Sequence, residues 1–322
     1  MVFYILSFLV SIFLLAWLGS HLVKTLVDLA KYLGWREFVV AFFVMAIAGS
    51  LPNLFVDISA AIRGFPELAF GDILGGNLVD LTFVMALAVF MGRKKTVPAK
   101  SNMIQFTAIF TAIIAILPLF LILDGSLDRI DGVVLIGAFL IYAVWLFSKE
   151  DRFKKVYNHR KKQPVKDFKG FVKNIFKIII FLVVLLIASQ VIINSAQYFS
   201  VSLGMPISLV GLIIVGLGNC FPETYFSLVS ARRGEGWMIL GDLMGSVISC
   251  ASLVLGIVAI ISPFQIHDFS PFLIARIFLV AAIILFLVII RSDKRITKKE
   301  ALILLLMYVL FLLVEIFKPY LF

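Results

Sequence analysis

Apolar and polar positions in this chain fall in long blocks, not at single-residue steps. Continuous apolar runs lie near residues 2–18, 38–62, 67–91, 103–123, 131–147, 172–200, 205–231, 237–262, 271–290 and 300–317. A spanning helix takes roughly 20 apolar residues, so the pattern predicts ten membrane helices. Strands of a membrane barrel would alternate inward and outward residues; these runs do not, which excludes a barrel. The first run lacks a basic leader and a small-residue cleavage site, so it is expected to be a retained span and not a removable signal. The longest polar stretch, residues 148–170, divides the chain nearly in half and carries Lys149, Arg152, Lys154, Lys155, Arg160, Lys161, Lys162, Lys166 and Lys169.

Composition narrows the class. Of 322 residues, 62% are hydrophobic and 15% charged, with a mean hydropathy of +1.10. Soluble domains run near 45–50% apolar and about 25% charged. An ordinary soluble domain, a disordered chain and a disulfide-framed secreted protein are therefore excluded. Cys220 and Cys250 both lie in apolar segments, which leaves the redox compartment open. The net charge of +10 does not point to nucleic acid, because the basic residues concentrate in short connections.

With the N-terminus outside, the inside connections hold Lys24, Lys31 and Arg36; Arg93, Lys94, Lys95 and Lys100; the basic linker; Arg232 and Arg233; and Arg291, Lys294, Arg295, Lys298 and Lys299. The outside connections keep Arg63, Arg129, Arg276 and Lys318. The positive-inside rule then predicts both termini outside and the linker cytoplasmic, expected to be a solvated loop, with contact with anionic lipid as the alternative.

A shift of 170 residues superimposes the two halves without a gap. Gly34 meets Gly204, Pro52 meets Pro222, and Ala61, Arg63 and Gly64 meet Ala231, Arg233 and Gly234. Gly71, Asp72 and Gly75 meet Gly241, Asp242 and Gly245. Five spans per half is an odd number, so the second half inserts upside down. The expected organisation is a first repeat at 1–148, a linker at 149–170 and an inverted repeat at 171–322. Inverted repeats mark secondary transporters, whose site lies at midplane where broken helices meet.

Two paired segments carry the candidate chemistry. Gly49-Ser50-Leu51-Pro52-Asn53 pairs with Gly218-Asn219-Cys220-Phe221-Pro222-Glu223. Proline inside a helix removes a donor and breaks the turn before it, and broken backbone survives in a membrane only inside protein or at a water-filled cavity. The second pair is Gly71-Asp72 through Asp80 and Gly241-Asp242 through Cys250. Spacing of four places 72, 76 and 80 on one helix face, and likewise 242, 246 and 250. Acids within a membrane are functional by default.

These segments resemble the alpha-repeats of the cation/calcium antiporter superfamily, Gly-Thr-Ser-x-Pro-Glu followed by Gly-Asn/Asp-x-x-Gly-Ser-Asn. The resemblance covers nearly the whole chain. It implies an all-α polytopic membrane protein of ten helices in two inverted five-helix repeats, and a cation antiporter with no cofactor. Carried over by position, it implies cation ligands at Asn53 and Glu223, Ser50 and Cys220, Asn219, Ser246, Asp80 and Cys250. Gly49 and Gly76 fall on the remaining positions, with Asn77, Asp57, Asp72 and Asp242 as further candidates. The chain departs from the family in having Asn53 where an acid is usual, while Asp57 stands one turn, about 6 Å, along the same face. Its repeat partner is Ser227.

Calcium takes six to eight oxygens, which the carboxylates, amides and hydroxyls of this set and opened carbonyls can supply. Cys220 and Cys250 either replace serine as small buried residues or favour softer metals. Asp72 and Asp242 are expected to cap helix N-termini or to hold the opposing repeat. Glu315 is expected to snorkel to the interface, and His21, His159 and His267 to sit in connections or at span edges. The 32 phenylalanines read as packing and lipid-facing surface.

Exchange of Ca2+ for Na+ in a prokaryotic plasma membrane is the leading expectation. Proton coupling, another divalent or soft cation, a channel, and a non-transporting sensor or scaffold remain as alternatives. No phosphate-binding Gly-rich loop and no other enzyme signature is present. Oligomeric state is open.

Overall fold

A computed structural model describes residues 1–32, 50–148, 168–266 and 270–321. Among the described residues, nine helices are long and apolar enough to cross a membrane. They are α1 (Val2–Tyr32), α3 (Pro66–Met91), α4 (Asn102–Leu121), α5 (Arg129–Ser148), α6 (Phe168–Leu203), α7 (Ile207–Arg233), α8 (Gly236–Ile261), α9 (Ser270–Ser292) and α10 (Lys298–Leu321). The shorter apolar helix α2 (Leu51–Ile62) completes the set of ten. The first part of its predicted run, 38–49, lies outside the described residues, as do Gly34, Gly49, His159, His267 and linker residues 149–167. Most predicted boundaries agree with the helices to within a few residues. Helix α1 instead continues to Tyr32; its 31 residues make about 46 Å, well beyond a 30 Å hydrocarbon layer.

Two short antiparallel strand pairs add what the hydrophobic pattern did not predict. Strand β1 (Val97–Pro98) pairs with β4 (Arg295–Ile296), and β2 (Ser126–Leu127) pairs with β3 (Phe264–Gln265). Each pair joins a connection of one half to a connection of the other. Because α4 separates β1 from β2, the two pairs lie at opposite ends of the bundle. Gln105 ties the first in place, donating to Ala99 O (2.7 Å) and Ile290 O (2.9 Å).

The pairing gives the inversion directly. The chain leaves α3 at the end where it enters α8, since a Cβ placed on Gly236 would come 2.6 Å from Pro98 Cδ. Helices α3 and α8 are repeat equivalents, so they run in opposite senses. The local backbone still follows the 170-residue shift. Gly64 and Gly234 both have φ +77°, a left-handed conformation that glycine adopts without steric cost.

Three close contacts set the centre of the bundle. A Cβ on Gly75 would lie 1.9 Å from Leu212 O, one on Gly71 2.2 Å from Ser208 O, and one on Gly211 2.3 Å from Leu68 O. Helices α3 and α7 thus cross backbone against backbone, which only small residues permit. Helices α1 and α6 pack chiefly on each other and on α2 and α7. Tyr4 stacks on Tyr198 at 3.9 Å, and the Ser59 and Ser189 hydroxyls lie 2.9 Å apart. The Arg63 guanidinium donates to Asn194 Oδ1 (2.6 Å) and Gln197 Oε1 (3.3 Å) of α6.

One expectation is corrected. Glu315 is buried, 3% exposed, and does not reach an interface. Tyr308, Phe311 and Glu315 are all buried and share one face of α10; the helix packs on α3 and α9.

Candidate functional site

The helix break predicted from Pro222 is present. Helix α7 interrupts at Cys220 and resumes at Phe221, with Pro222 in the first turn of the new segment. Helix α2 begins after a bend at Ser50, with Pro52 in its first turn. Downstream, α3 and α8 each widen into a π turn at the equivalent place, Asp80–Val84 and Ser249–Val254. Such turns concentrate at functional sites. Both carry a hydroxyl that bonds back one turn: Thr82 to Leu78 O, and Ser252 to Ile248 O at 2.5 Å. Thr82 and Ser252 also obey the 170-residue shift, so the sequence held a signal for these turns.

The α7 break, the first turns of α2 and the two π turns enclose a small cavity drawn from both halves. Its polar lining comes from Asn53 and Asp57 of α2, Asp72, Asn77 and Asp80 of α3, Cys220 of α7, and Ser246 and Cys250 of α8; Gly76 adds backbone. The centre of a water-sized particle can move over about 10 Å³, room for roughly one water or one bare ion. Positions 72, 76 and 80 all reach this wall, as their spacing predicts.

Glu223 and Asn219 stand behind the wall. Ser246 Oγ donates to Glu223 Oε1 (3.2 Å), and Asn219 Nδ2 donates to Asp72 Oδ2 (2.5 Å). Asp80 stands beside Cys220 and Ser246, within Coulombic reach of Glu223 and Asp242. Asp57 faces Asp72. Cys220 Sγ donates to Gly76 O (3.4 Å), and Asn53 Nδ2 to Cys250 Sγ (3.6 Å).

Ser50 is buried but does not line the cavity, and Asp242 is half-buried away from the wall. Neither Asp72 nor Asp242 caps a helix, because α3 and α8 start at Pro66 and Gly236, six residues earlier. Asp72 instead accepts from the opposing repeat.

The electrostatics are one-sided. Buried oxygens without a hydrogen-bond partner include Asn53 Oδ1, both Asp57 oxygens, Asp80 Oδ1, Asn219 Oδ1 and Glu223 Oε2. Among the described residues, no lysine or arginine lines the cavity. Leaving buried polar atoms unpaired is costly, and buried charge more so. An excess of acceptors around room for one ion is the arrangement that a cation satisfies. Among the described residues, no three His, Cys, Asp or Glu side chains converge as a metal-holding group. The acids stand instead as a run of neighbours: Asp57 by Asp72, Glu223 within Coulombic reach of Asp72 and Asp80, and Asp242 within reach of Asp80 and Glu223.

Two inverted five-helix halves enclosing an acid-lined cavity at their seam define a secondary transporter. The chain matches the sodium/calcium exchanger protein family over residues 3–148 and 173–317 and belongs to it. It is an integral membrane cation exchanger, of a transporter family and not an enzyme family. It is 23% identical to the sodium/calcium exchanger MaX1 of Methanosarcina acetivorans over 328 residues, covering 92% of this chain and 93% of that one. The sodium-calcium exchanger NCX_Mj superposes with a TM-score of 0.65 at 21% identity, over 96% of this chain and 97% of that one. An H+/Ca2+ exchanger, CAX, superposes with a TM-score of 0.74 at 16% identity, over 96% and 82%. Exchangers with either coupling ion thus share the fold.

Proposed function

We propose that this chain exchanges Ca2+ for Na+ by alternating access, with both ions competing for the cavity at the repeat seam. The observation that carries this reading is the set of unpartnered buried oxygens there, contributed by both halves. In this reading Asp80 and Glu223 supply the two charges that neutralise one Ca2+, and Ser246 positions Glu223. Asn53 and Asn219 offer further oxygens, and water and opened carbonyls complete the six to eight that calcium takes. The loaded site is close to neutral and crosses; the empty, doubly negative site crosses at high cost. That difference enforces exchange.

The reading divides the chain into repeats at 1–148 and 171–322, joined by a cytoplasmic 149–170 linker, with both termini outside. It places α1 and α6 as the pair that slides, because they pack chiefly on each other and on α2 and α7. A second reading has a specific observation behind it. Cys220 and Cys250 both line the cavity, and thiolates suit softer cations such as Cd2+ or Zn2+. Proton coupling is the alternative drive.

Calcium uptake into proteoliposomes, measured under an outward Na+ gradient, an outward proton gradient and neither, tests these readings. Uptake that follows Na+ and disappears in Asp80→Asn and Glu223→Gln is the expected result. Uptake that follows protons would replace the coupling ion. Uncoupled conductance would indicate a channel. No calcium movement under any gradient would overturn the calcium assignment and turn the test to Cd2+ and Zn2+.

A further inference from the structure

The two halves differ where α2 and α7 meet the long outer pair. Arg63, at the C-terminal end of α2, is half-exposed and carries its guanidinium across to α6. Its Nη1 donates to Asn194 Oδ1 (2.6 Å) and Gln190 Oε1 (3.5 Å), and its Nη2 to Gln197 Oε1 (3.3 Å). Gln190, Asn194 and Gln197 stand four and three residues apart, so they form a row on one face of α6. One turn back along α2, the buried Ser59 and Ser189 hydroxyls meet at 2.9 Å. The 170-residue shift maps Arg63 onto Arg233. It maps the amide row onto Ser20, Lys24 and Val27 of α1, and the serine pair onto Val229 and Gly19. The amide row and the serine pair therefore exist at the α2–α6 joint and have no counterpart in the sequence of α7 and α1.

Inverted repeats relate the two access states of a transporter by exchanging the roles of its halves. With matched joints the two states would be mirror images of equal energy. A contact present at one joint alone removes that balance, because a two-state equilibrium shifts by whatever interaction separates its states. We propose that Arg63 is a positioning residue for exchange. Held by the amide row of α6, it favours the access state in which α2 and α6 are docked as they are here, and so makes the two membrane faces unequal. Arg63 does not line the cavity; it acts through α2, which carries Asn53 and Asp57 to the cavity wall. The proposal rests on the exchanger reading, since a cavity with one access state would offer nothing to bias.

The chain carries its own reporters, because its two cysteines, Cys220 and Cys250, both line the cavity. The test is the rate at which a membrane-impermeant methanethiosulfonate reagent modifies them in right-side-out and in inside-out vesicles holding the full chain. Na+, Ca2+ and pH are equal on both faces, and modification is read as a mass shift of the purified protein. Wild type is compared with Arg63→Ala and with a combined Gln190→Leu, Asn194→Leu and Gln197→Leu variant, each checked as monodisperse by gel filtration. Both variants are expected to speed modification from one face and slow it from the other. The ratio of the two rates should change by about fivefold, the scale of losing one hydrogen bond to a charged donor at a half-exposed position. A protein that is merely loosened would be modified faster from both faces alike. That result overturns the proposal, as does an unchanged ratio in Arg63→Ala, or a shift there that the acceptor variant does not reproduce; each leaves the exchanger reading standing. Wild type modified from one face only, with the second face gained in both variants, is the expected result at its extreme. Modification from neither face, or from the same single face in every variant, contradicts alternating access and overturns both.

Discussion

Substituting Gly75 by alanine adds a single methyl, and the structure fixes what it must do. The new Cβ falls 1.9 Å from Leu212 O, backbone facing backbone, so no side chain can rotate away. A comfortable carbon–oxygen contact is about 3.3 Å, so α3 and α7 must part by about 1.4 Å at the crossing. Overpacking of this kind costs about 1–3 kcal/mol and occasionally more; with no flexible atom to yield, the upper end is expected. Function should suffer further, because the Asn219–Asp72 hydrogen bond spans the same two helices. Taken along the bond, the same parting lengthens 2.5 Å to about 3.9 Å, past hydrogen-bonding range. Thermal aggregation followed by fluorescence-detected gel filtration, with calcium uptake in parallel, reads both effects. Gly137, with nothing within 4 Å of an added Cβ, supplies the control substitution. Equal stability and uptake for Gly75→Ala, Gly137→Ala and wild type would refute the claim that the α3–α7 crossing needs glycine.

Further outcomes follow from the same geometry. Asp80→Asn and Glu223→Gln each remove a buried charge from the cavity and should abolish calcium uptake while the protein stays monodisperse; wild-type uptake in either would remove that residue from the ligand set. If the thiols meet the ion, Cys220→Ser and Cys250→Ser should weaken inhibition of transport by Cd2+ by about tenfold or more, on the scale of losing a metal-site partner. Unchanged Cd2+ sensitivity in both would make the cysteines packing residues. Arg63→Ala removes hydrogen bonds from a charged donor to α6 at a half-exposed position, and a loss of about 1 kcal/mol is expected. A thermal midpoint unchanged from wild type would show that this tether adds nothing.

Much of the architecture was legible because membrane insertion writes itself into composition. Block-like apolar runs gave nearly every helix boundary, and the gapless 170-residue shift of Gly, Pro, Asp and Arg gave the inverted halves. The helix break at Cys220 and the start of α2 after Ser50 followed from Pro222 and Pro52, since proline's missing donor is a local fact. Other features needed the third dimension. Strands of two residues are too short to leave a period. The burial of Glu315 depends on which face of α10 meets α3. Asp72 was legible as an acid in a membrane, but its partner Asn219 lies 147 residues away. The equivalence of Asn53 and Glu223 was plain from alignment of the halves. That Asp57 reaches the same cavity rests on how α2 is turned, which no spacing rule gives.

The two strand pairs carry a mechanical consequence. Each fastens loops of opposite repeats through main-chain hydrogen bonds, which survive almost any change of side chain. One rivet sits at each end of the bundle, and together they clasp the ends of α3, α4, α5, α8, α9 and α10. Swinging one half of that block against the other would shear both rivets at once. Among the described residues, no strand pair fastens α1, α2, α6 or α7. A displacement of those four helices would leave both rivets intact. That division puts Asn53, Asp57, Asn219, Cys220 and Glu223 on the unriveted helices and Asp72, Asp80, Ser246 and Cys250 on the riveted ones. Any displacement between the two sides is therefore a displacement across the cavity itself.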